Sequence, residues 1–284
     1  MLTKENFFCD FENKWCPGCG NFQILEAMKE AFAEMDLPPE KLLIVSGIGQ
    51  AGKTPHFLKC NFFHGLHGRA LPVATGAKIA NHELTVVVSS GDGDCYGEGG
   101  NHFISAVRRN IDITLLVHNN KVYGLTKGQA SPTSDIGFRT KMQPHGVIAN
   151  SFNPLAVALA FGAGFVARGF SGKKAHLNQL IRKAIAHKGF SMIDIMQPCV
   201  SFNPVNTFAW YNKRAYDLAE EDYDATDLDA AFSLSRKWGD RIPIGILYQK
   251  ESPSYTDRIA HLNTGPLIDF TYEKDRVQHV IDTQ

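Results

Sequence analysis

The chain has 284 residues, 44% of them hydrophobic, and its 29 basic residues are balanced by 29 acidic ones. That is enough apolar material for a proper core, and with no net charge there is no bulk attraction toward nucleic acid or an anionic membrane. Residues 1–6 carry charges where a secretory leader needs an apolar run, and no stretch approaches the ~20 apolar residues of a membrane span, so the expected location is cytoplasmic.

In chain order, the first notable segment is Cys16-Pro17-Gly18-Cys19-Gly20. Directly after it, Phe22, Leu25, Met28, Phe32 and Met35 recur every three or four residues, which predicts an amphipathic helix over 21–35. Short apolar runs at 42–45, 84–88, 113–117 and 191–196 suit strands buried on both faces. Helical patterns at 70–80, 101–110, 154–162 and 173–187 fall between them. This strand–helix rhythm predicts an α/β fold, a mostly parallel sheet with helices on both faces. Residues 1–200 read as that domain. Residues 201–284 are richer in Tyr, Asp and Pro and less periodic, and read as an irregular C-terminal extension that packs on the domain or on a partner chain.

The strongest chemical signal starts where the 84–88 strand ends, with Gly91-Asp92-Gly93-Asp94, and closes at Asn119-Asn120, with twenty-five residues between Gly93 and Asn119. Taken singly, each segment is an ordinary turn. Together, at two strand ends one helix and one strand apart, they describe a ligand site. Glycines let backbone N–H groups approach a phosphate, and the following helix adds the positive end of its dipole. Asp92 supplies a hard oxygen for Mg²⁺, and Asn120 offers a side-chain carbonyl.

This signature resembles that of thiamine diphosphate enzymes. Four further segments, Gly47-Ile48-Gly49, His67-Gly68-Arg69-Ala70, Gly99-Gly100-Asn101-His102 and the run from Val122 through Tyr123-Gly124-Leu125-Thr126-Lys127-Gly128 to Gln129, resemble the beta subunits of 2-oxoacid:ferredoxin oxidoreductases. The resemblance implies Mg²⁺ held by Asp92, Asn120 and the Val122 carbonyl. It implies cofactor contacts from Ile48, Gly49, Gln50, Ala51, His67, Gly93, Asp94, Gly124 and Leu125. Lys53 and Lys127 then fall near the carboxylate of a 2-oxoacid as catalytic cations. The implied reaction is oxidative decarboxylation of a 2-oxoacid, 2-oxoglutarate before pyruvate, with coenzyme A to acyl-CoA and CO₂, or the reverse. Electrons pass through a 4Fe–4S cluster to ferredoxin, and an alpha subunit supplies the glutamate that thiamine chemistry needs and this chain lacks.

The six cysteines of a chain in a reducing compartment are better suited to metal or redox work than to a disulfide framework. Cys16-x-x-Cys19 before a helix is half of a metal site. The resemblance gives Cys199 the fourth place in a 4Fe–4S cluster. At the third, where many relatives have cysteine, this chain has Gln50, and Cys60 ten residues later is expected to swing in. Cys9 and Cys95 read as bystanders. Two other readings stand beside this one: a non-oxidative thiamine diphosphate decarboxylase or carboligase without a cluster, and a non-catalytic zinc and nucleotide-binding subunit.

Overall fold

Parallel strands need long crossover connections, and the apolar helical patterns supply them. The computed structural model describes residues 1–271 and 273–283. Its strands are β1 (Leu42–Ser46), β2 (Asn61–His64), β3 (Thr85–Gly91), β4 (Thr114–Asn119), β5 (Val122–Tyr123), β6 (Gln129–Ala130), β7 (Phe165–Phe170), β8 (Ser191–Met196), β9 (Ala215–Asp217) and β10 (Ile242–Gln249). Eight of them form one sheet in the order β2-β1-β3-β4-β8-β7-β10-β9, and β5 and β6 make a separate hairpin. Within the large sheet only β10 runs antiparallel to its neighbour, β7.

Alternate residues of the central strands feed opposite faces. Val86, Val88, Leu115 and Val117 join a core with α2 (Ala70–Ala80), α3 (Gly100–Arg109), α4 (Pro154–Ala160) and α7 (Leu228–Ser235), whereas Val87, Leu116, Ile193 and Ile195 pack beneath α1 (Asn21–Glu34) and α5 (Lys174–Ala186). Helices therefore cover both faces, as the alternation of patterns predicts. Of the predicted stripe on α1, Leu25, Met28 and Phe32 are buried, joined by Ile24, Ala27 and Ala31. Helix α4 begins where the Asn153 side chain accepts the Ala156 N–H at 3.1 Å and Pro154 opens the first turn.

The structure corrects the reading of residues 201–284 as irregular. Short helix α6 (Phe208–Asn212) leads to β9, and α7 leads to β10, so two strands of the main sheet come from this region. Helix α8 (Lys274–Asp282) ends the described chain. Among the described residues no helix is long and apolar enough to cross a membrane.

Leu116 is wholly buried at the centre of the sheet, whereas Ile148 is 93% exposed. Leu116→Ala is expected to cost about 2–5 kcal/mol, from lost transfer energy and the cavity left behind. Ile148→Ala is expected to stay within about 0.5 kcal/mol of the parent. Denaturant midpoints of the two variants check this, and equal midpoints would contradict the placement of the core.

Candidate active site

β3 and β4 are parallel neighbours, with Gly91 opposite His118. The chain leaving β3 at Asp92 and the chain leaving β4 at Asn120 therefore emerge side by side at the carboxyl edge of the sheet. After Asp92 the backbone makes one wide π-type turn (Gly93–Glu98), closed by the Gly99 N–H donating to Asp94 O at 2.9 Å, and then enters α3. Such turns are rare and cluster at functional sites. Gly93 and Gly97 have a packing reason beyond access to phosphate: a Cβ at either would sit 2.3 or 2.4 Å from the Tyr123 side chain.

The two aspartates at this strand end are buried, and each meets its burial differently. Asp94 is saturated with donors. Its Oδ1 accepts the N–H of Ile48 at 3.0 Å, the N–H of Gly68 at 2.8 Å and His67 Nδ1 at 2.5 Å, and its Oδ2 accepts Ser90 Oγ at 2.5 Å. One carboxylate thereby ties together the loop after β1, the turn before α2 and the end of β3. Gly47 must be glycine for this to happen, because a Cβ there would lie 2.1 Å from Asp94 Oδ2. His67 turns Nδ1 toward Asp94, which leaves Nε2 as the second ring nitrogen.

Asp92 is only 1% exposed, and its Oδ2 accepts two hydroxyls, Ser131 Oγ at 2.6 Å and Thr133 Oγ1 at 2.5 Å. No salt bridge reaches it among the described residues, and burial pushes its carboxyl up to about 6. A buried carboxylate without a cation costs free energy, so this position is suited to a metal. Thr133 Oγ1 also lies 2.9 Å from Asn119 Oδ1, while Asn119 Nδ2 donates to Asp194 Oδ2 at 3.1 Å. Asp194 in turn accepts the Tyr96 hydroxyl at 2.9 Å. The first asparagine of the pair thus braces the loop. The second, Asn120, lines the cleft, with Oδ1 accepting the Val122 N–H at 3.1 Å and its carbonyl accepting Asn203 Nδ2 at 3.1 Å.

Ile48, Gly49, Gln50, Ala51 and His67 line one cleft together with Asp92, Gly93 and Asp94, and Asn120, Val122, Gly124 and Leu125 line it too. Lys53 and Lys127 are not among the lining residues. Lys53 is half-buried in the turn Ala51–Phe57, and Lys127 is exposed at the tip of the β5–β6 hairpin with φ +83°. The sequence reading did not find Ser131, Thr133 or Asp194, and it named Tyr123 only as part of the run from Val122 to Gln129. Hydroxyls in a loop and an aspartate inside a strand carry no spacing signal that separates them from turn and surface residues.

A second, smaller pocket adjoins the cleft. Cys16, Cys19 and Cys199 line it, and Gln50, Asn120 and Gly124 are common to both spaces. The Gly20 N–H donates to Pro198 O at 3.3 Å and Gln197 Nε2 donates to Cys19 Sγ at 3.4 Å, which holds the N-terminal turn against the end of β8. Burial pushes the Cys19 thiol up to about 11 and that of Cys199 upward, and charge on the neighbouring cysteines adds to both shifts. Thiols stabilised in the protonated form by burial become ligands when a cation stabilises their thiolates. Among the described residues no three thiol, imidazole or carboxylate groups are drawn together into a ready metal site.

The expectation that Cys60 completes this set is corrected. Cys60 immediately precedes Asn61, which pairs with Leu43 near the start of β1, so it lies at the amino edge of the parallel strands. Four residues of strand, roughly 13 Å, separate that level from the carboxyl edge. Cys60 packs against the core beneath α1, and burial alone pushes its thiol up to about 12.

Taken with a match of residues 47–195 to the C-terminal thiamine pyrophosphate-binding domain of thiamine pyrophosphate enzymes, fold and cleft define a thiamine diphosphate-binding domain. Residues 199–264 match the C-terminal part of the pyruvate ferredoxin oxidoreductase beta subunit. The chain is 50% identical over 262 residues to the 2-oxoacid:ferredoxin oxidoreductase subunit beta of Saccharolobus solfataricus, covering 87% of this chain and 86% of that one. It is 41% identical to the 2-oxoglutarate synthase subunit KorB of Methanocaldococcus jannaschii, covering 66% and 70% respectively. In structure it is similar to a 2-oxoglutarate:ferredoxin oxidoreductase from Magnetococcus marinus with 2-oxoglutarate, coenzyme A and succinyl-CoA bound, with a TM-score of 0.92, 36% identity, and coverage of 98% of this chain and 96% of that one. The chain belongs to the beta-subunit family of the 2-oxoacid:ferredoxin oxidoreductases and is part of an oxidoreductase. That membership sets aside the reading of a non-catalytic zinc and nucleotide-binding subunit.

Because Asp94 ties three loops together, Asp94→Asn and Gly47→Ala should both loosen the cleft. Each is expected to weaken thiamine diphosphate binding by about 1–3 kcal/mol, the cost of leaving buried donors unpaired. Calorimetric titration of the complete enzyme tests this, and unchanged affinity in both variants would refute the clamp.

Proposed function

We propose that this chain, paired with an alpha subunit, catalyses oxidative decarboxylation of a 2-oxoacid with coenzyme A, and the reverse carboxylation. The 2-oxoacid, coenzyme A and two oxidised ferredoxins give acyl-CoA, CO₂, two reduced ferredoxins and a proton. The observation that carries the reading is the common wall of Gln50, Asn120 and Gly124 between the Asp92 cleft and the pocket of Cys16, Cys19 and Cys199. A decarboxylase or carboligase without redox chemistry has no use for three thiols on the far side of that wall.

Asp92, Asn120 and the Val122 carbonyl would hold Mg²⁺, and Cys16, Cys19 and Cys199 would hold a 4Fe–4S cluster. Thiamine diphosphate, when bound, supplies a carbon nucleophile and electron sink, and the cluster supplies one-electron chemistry. The chain's own residues position and exclude. Asp94 fixes the Ile48 N–H and orients His67, while Ser131 and Thr133 hold the Asp92 carboxylate in one rotamer. Tyr123 packs edge-on to His67, with ring centroids 6.2 Å apart, and shields the glycine turn from water.

No glutamate lines the cleft among the described residues, and Asp92 and Asp94 are both engaged, so the carboxylate that thiamine chemistry requires falls to the alpha subunit. A 2-oxoacid substrate, with 2-oxoglutarate ahead of pyruvate, is supported by relatives named 2-oxoglutarate synthase and by the 2-oxoglutarate in the Magnetococcus marinus structure. Ferredoxin as electron acceptor is supported by the names of relatives along most of the chain. Lys127, on a strained left-handed backbone beside the cleft-lining Thr126, and Lys53, next but one to Ala51, are the cations proposed to meet the substrate carboxylate.

Asp92→Ala is expected to weaken Mg²⁺-dependent thiamine diphosphate binding by ~100-fold or more and to abolish acyl-CoA formation against a panel of 2-oxoacids. Retention of both would overturn the assignment. Lys127→Ala and Lys53→Ala are expected to raise KM for the 2-oxoacid roughly tenfold, the loss of one charge-assisted hydrogen bond, with kcat less affected. An unchanged KM in both variants would remove the lysines from the substrate's surroundings.

A further inference from the structure

Three thiols surround the small pocket, and a cubane cluster has four corners. Gln50 lines the same pocket as Cys16, Cys19 and Cys199, and it also lines the thiamine cleft. Its side-chain oxygen Oε1 is buried and has no hydrogen-bond partner among the described residues. A lone buried amide oxygen costs about 1–3 kcal/mol, and buried polar atoms are nearly always paired. Two more polar atoms lining the same pocket, Gln197 Oε1 and Asn21 Nδ2, are also unpartnered. Such a concentration of unmet polar groups beside three thiols marks a space shaped for an occupant. The remaining cysteines lie elsewhere: Cys60 is at the opposite edge of the sheet, Cys95 lies in the α3 core, and Cys9 does not line the pocket.

We propose that Gln50 Oε1 is the fourth ligand of the cluster held by Cys16, Cys19 and Cys199, so that one iron is bound through a neutral oxygen on the side facing the thiamine cleft. The proposal rests on the reading above that a 4Fe–4S cluster binds in this pocket. Two properties follow from the chemistry of the ligand. A neutral, hard oxygen grips iron less firmly than a thiolate, so this corner is the labile one. Replacing a thiolate by a neutral amide also removes one negative charge from the ligand shell, which raises the cluster's reduction potential. Trp15 steadies the position, since its Nε1 donates to the Gln50 backbone carbonyl at 2.9 Å and leaves the side-chain amide free for iron.

The test uses the complete alpha–beta enzyme purified without oxygen, with iron analysis and EPR as readouts. On mild treatment with ferricyanide, the wild-type cluster is expected to give up one electron and release one ferrous ion from the Gln50 corner. The three-iron cluster that remains is EPR-visible, and ferrous ion with a reductant restores the original. Gln50→Cys is expected to resist the same treatment and to show a lower reduction potential. Gln50→Leu is expected to be isolated directly in the three-iron form, and Gln50→Glu, whose oxygen is charged, to hold the fourth iron more firmly than wild type. If wild type and Gln50→Leu both keep four irons and give the same spectra, Gln50 is not a ligand, although the cluster reading survives. A native complex containing zinc or no metal at all would overturn the cluster reading and the Gln50 assignment with it.

Discussion

Two carboxylates buried at the end of one strand set the terms for everything around them. Ionised groups out of water must be paired or hydrogen-bonded, and Asp92 and Asp94 meet that demand in opposite ways. Asp94 spends its oxygens on donors from three loops and so becomes a structural hub. Asp92 accepts two hydroxyls, no salt bridge reaches it among the described residues, and burial raises its proton affinity. Under the proposed function a divalent metal on the diphosphate would supply the positive charge that this buried carboxylate calls for. The bracing chain from Thr133 through Asn119 to Asp194 and Tyr96 makes the geometry available before the cofactor arrives.

Much of this was legible in the sequence, and the failures have physical reasons. The spacing from Gly-Asp-Gly to Asn-Asn is one helix and one strand long, and that alone places Asp92 and Asn120 at adjoining strand ends. Strand β7 was missed because its interior carries Arg168, whose charge breaks an apolar run. In the fold that guanidinium is buried, donating to Pro243 O at 3.1 Å and Ser235 O at 2.9 Å. Strand β2 was missed because all four of its residues are exposed, leaving no burial pattern to read. Strand β10 follows a polar, irregular stretch and contains Pro243, which argues against an interior strand; here pairing with β7 begins only at Gly245, so Pro243 is paired through β9 alone. The error over Cys60 was of another kind. Ten residues look close in the sequence, but the turn Ala51–Phe57 carries the chain back to the far edge of the sheet before β2 begins.

The arrangement also explains why this chain depends on others. Cleft and cysteine pocket share one wall of Gln50, Asn120 and Gly124, so under the proposed function a single polypeptide would hold cofactor and cluster on its two sides. Among the described residues no glutamate lines the cleft, and under the proposed function the alpha subunit would supply the carboxylate for the thiamine ring. The β5–β6 hairpin exposes Leu125, Thr126 and Lys127 at its tip, and Leu125 and Thr126 also line the cleft.

The most direct test of the central claim is the position of the metal. Crystals of the complete enzyme grown with thiamine diphosphate and Mn²⁺ in place of Mg²⁺ should give one anomalous peak bounded by the Asp92 carboxylate, the Asn120 side-chain oxygen and the Val122 carbonyl, with the diphosphate completing its coordination. A peak elsewhere, or a diphosphate bound with no metal against Asp92, would contradict the account.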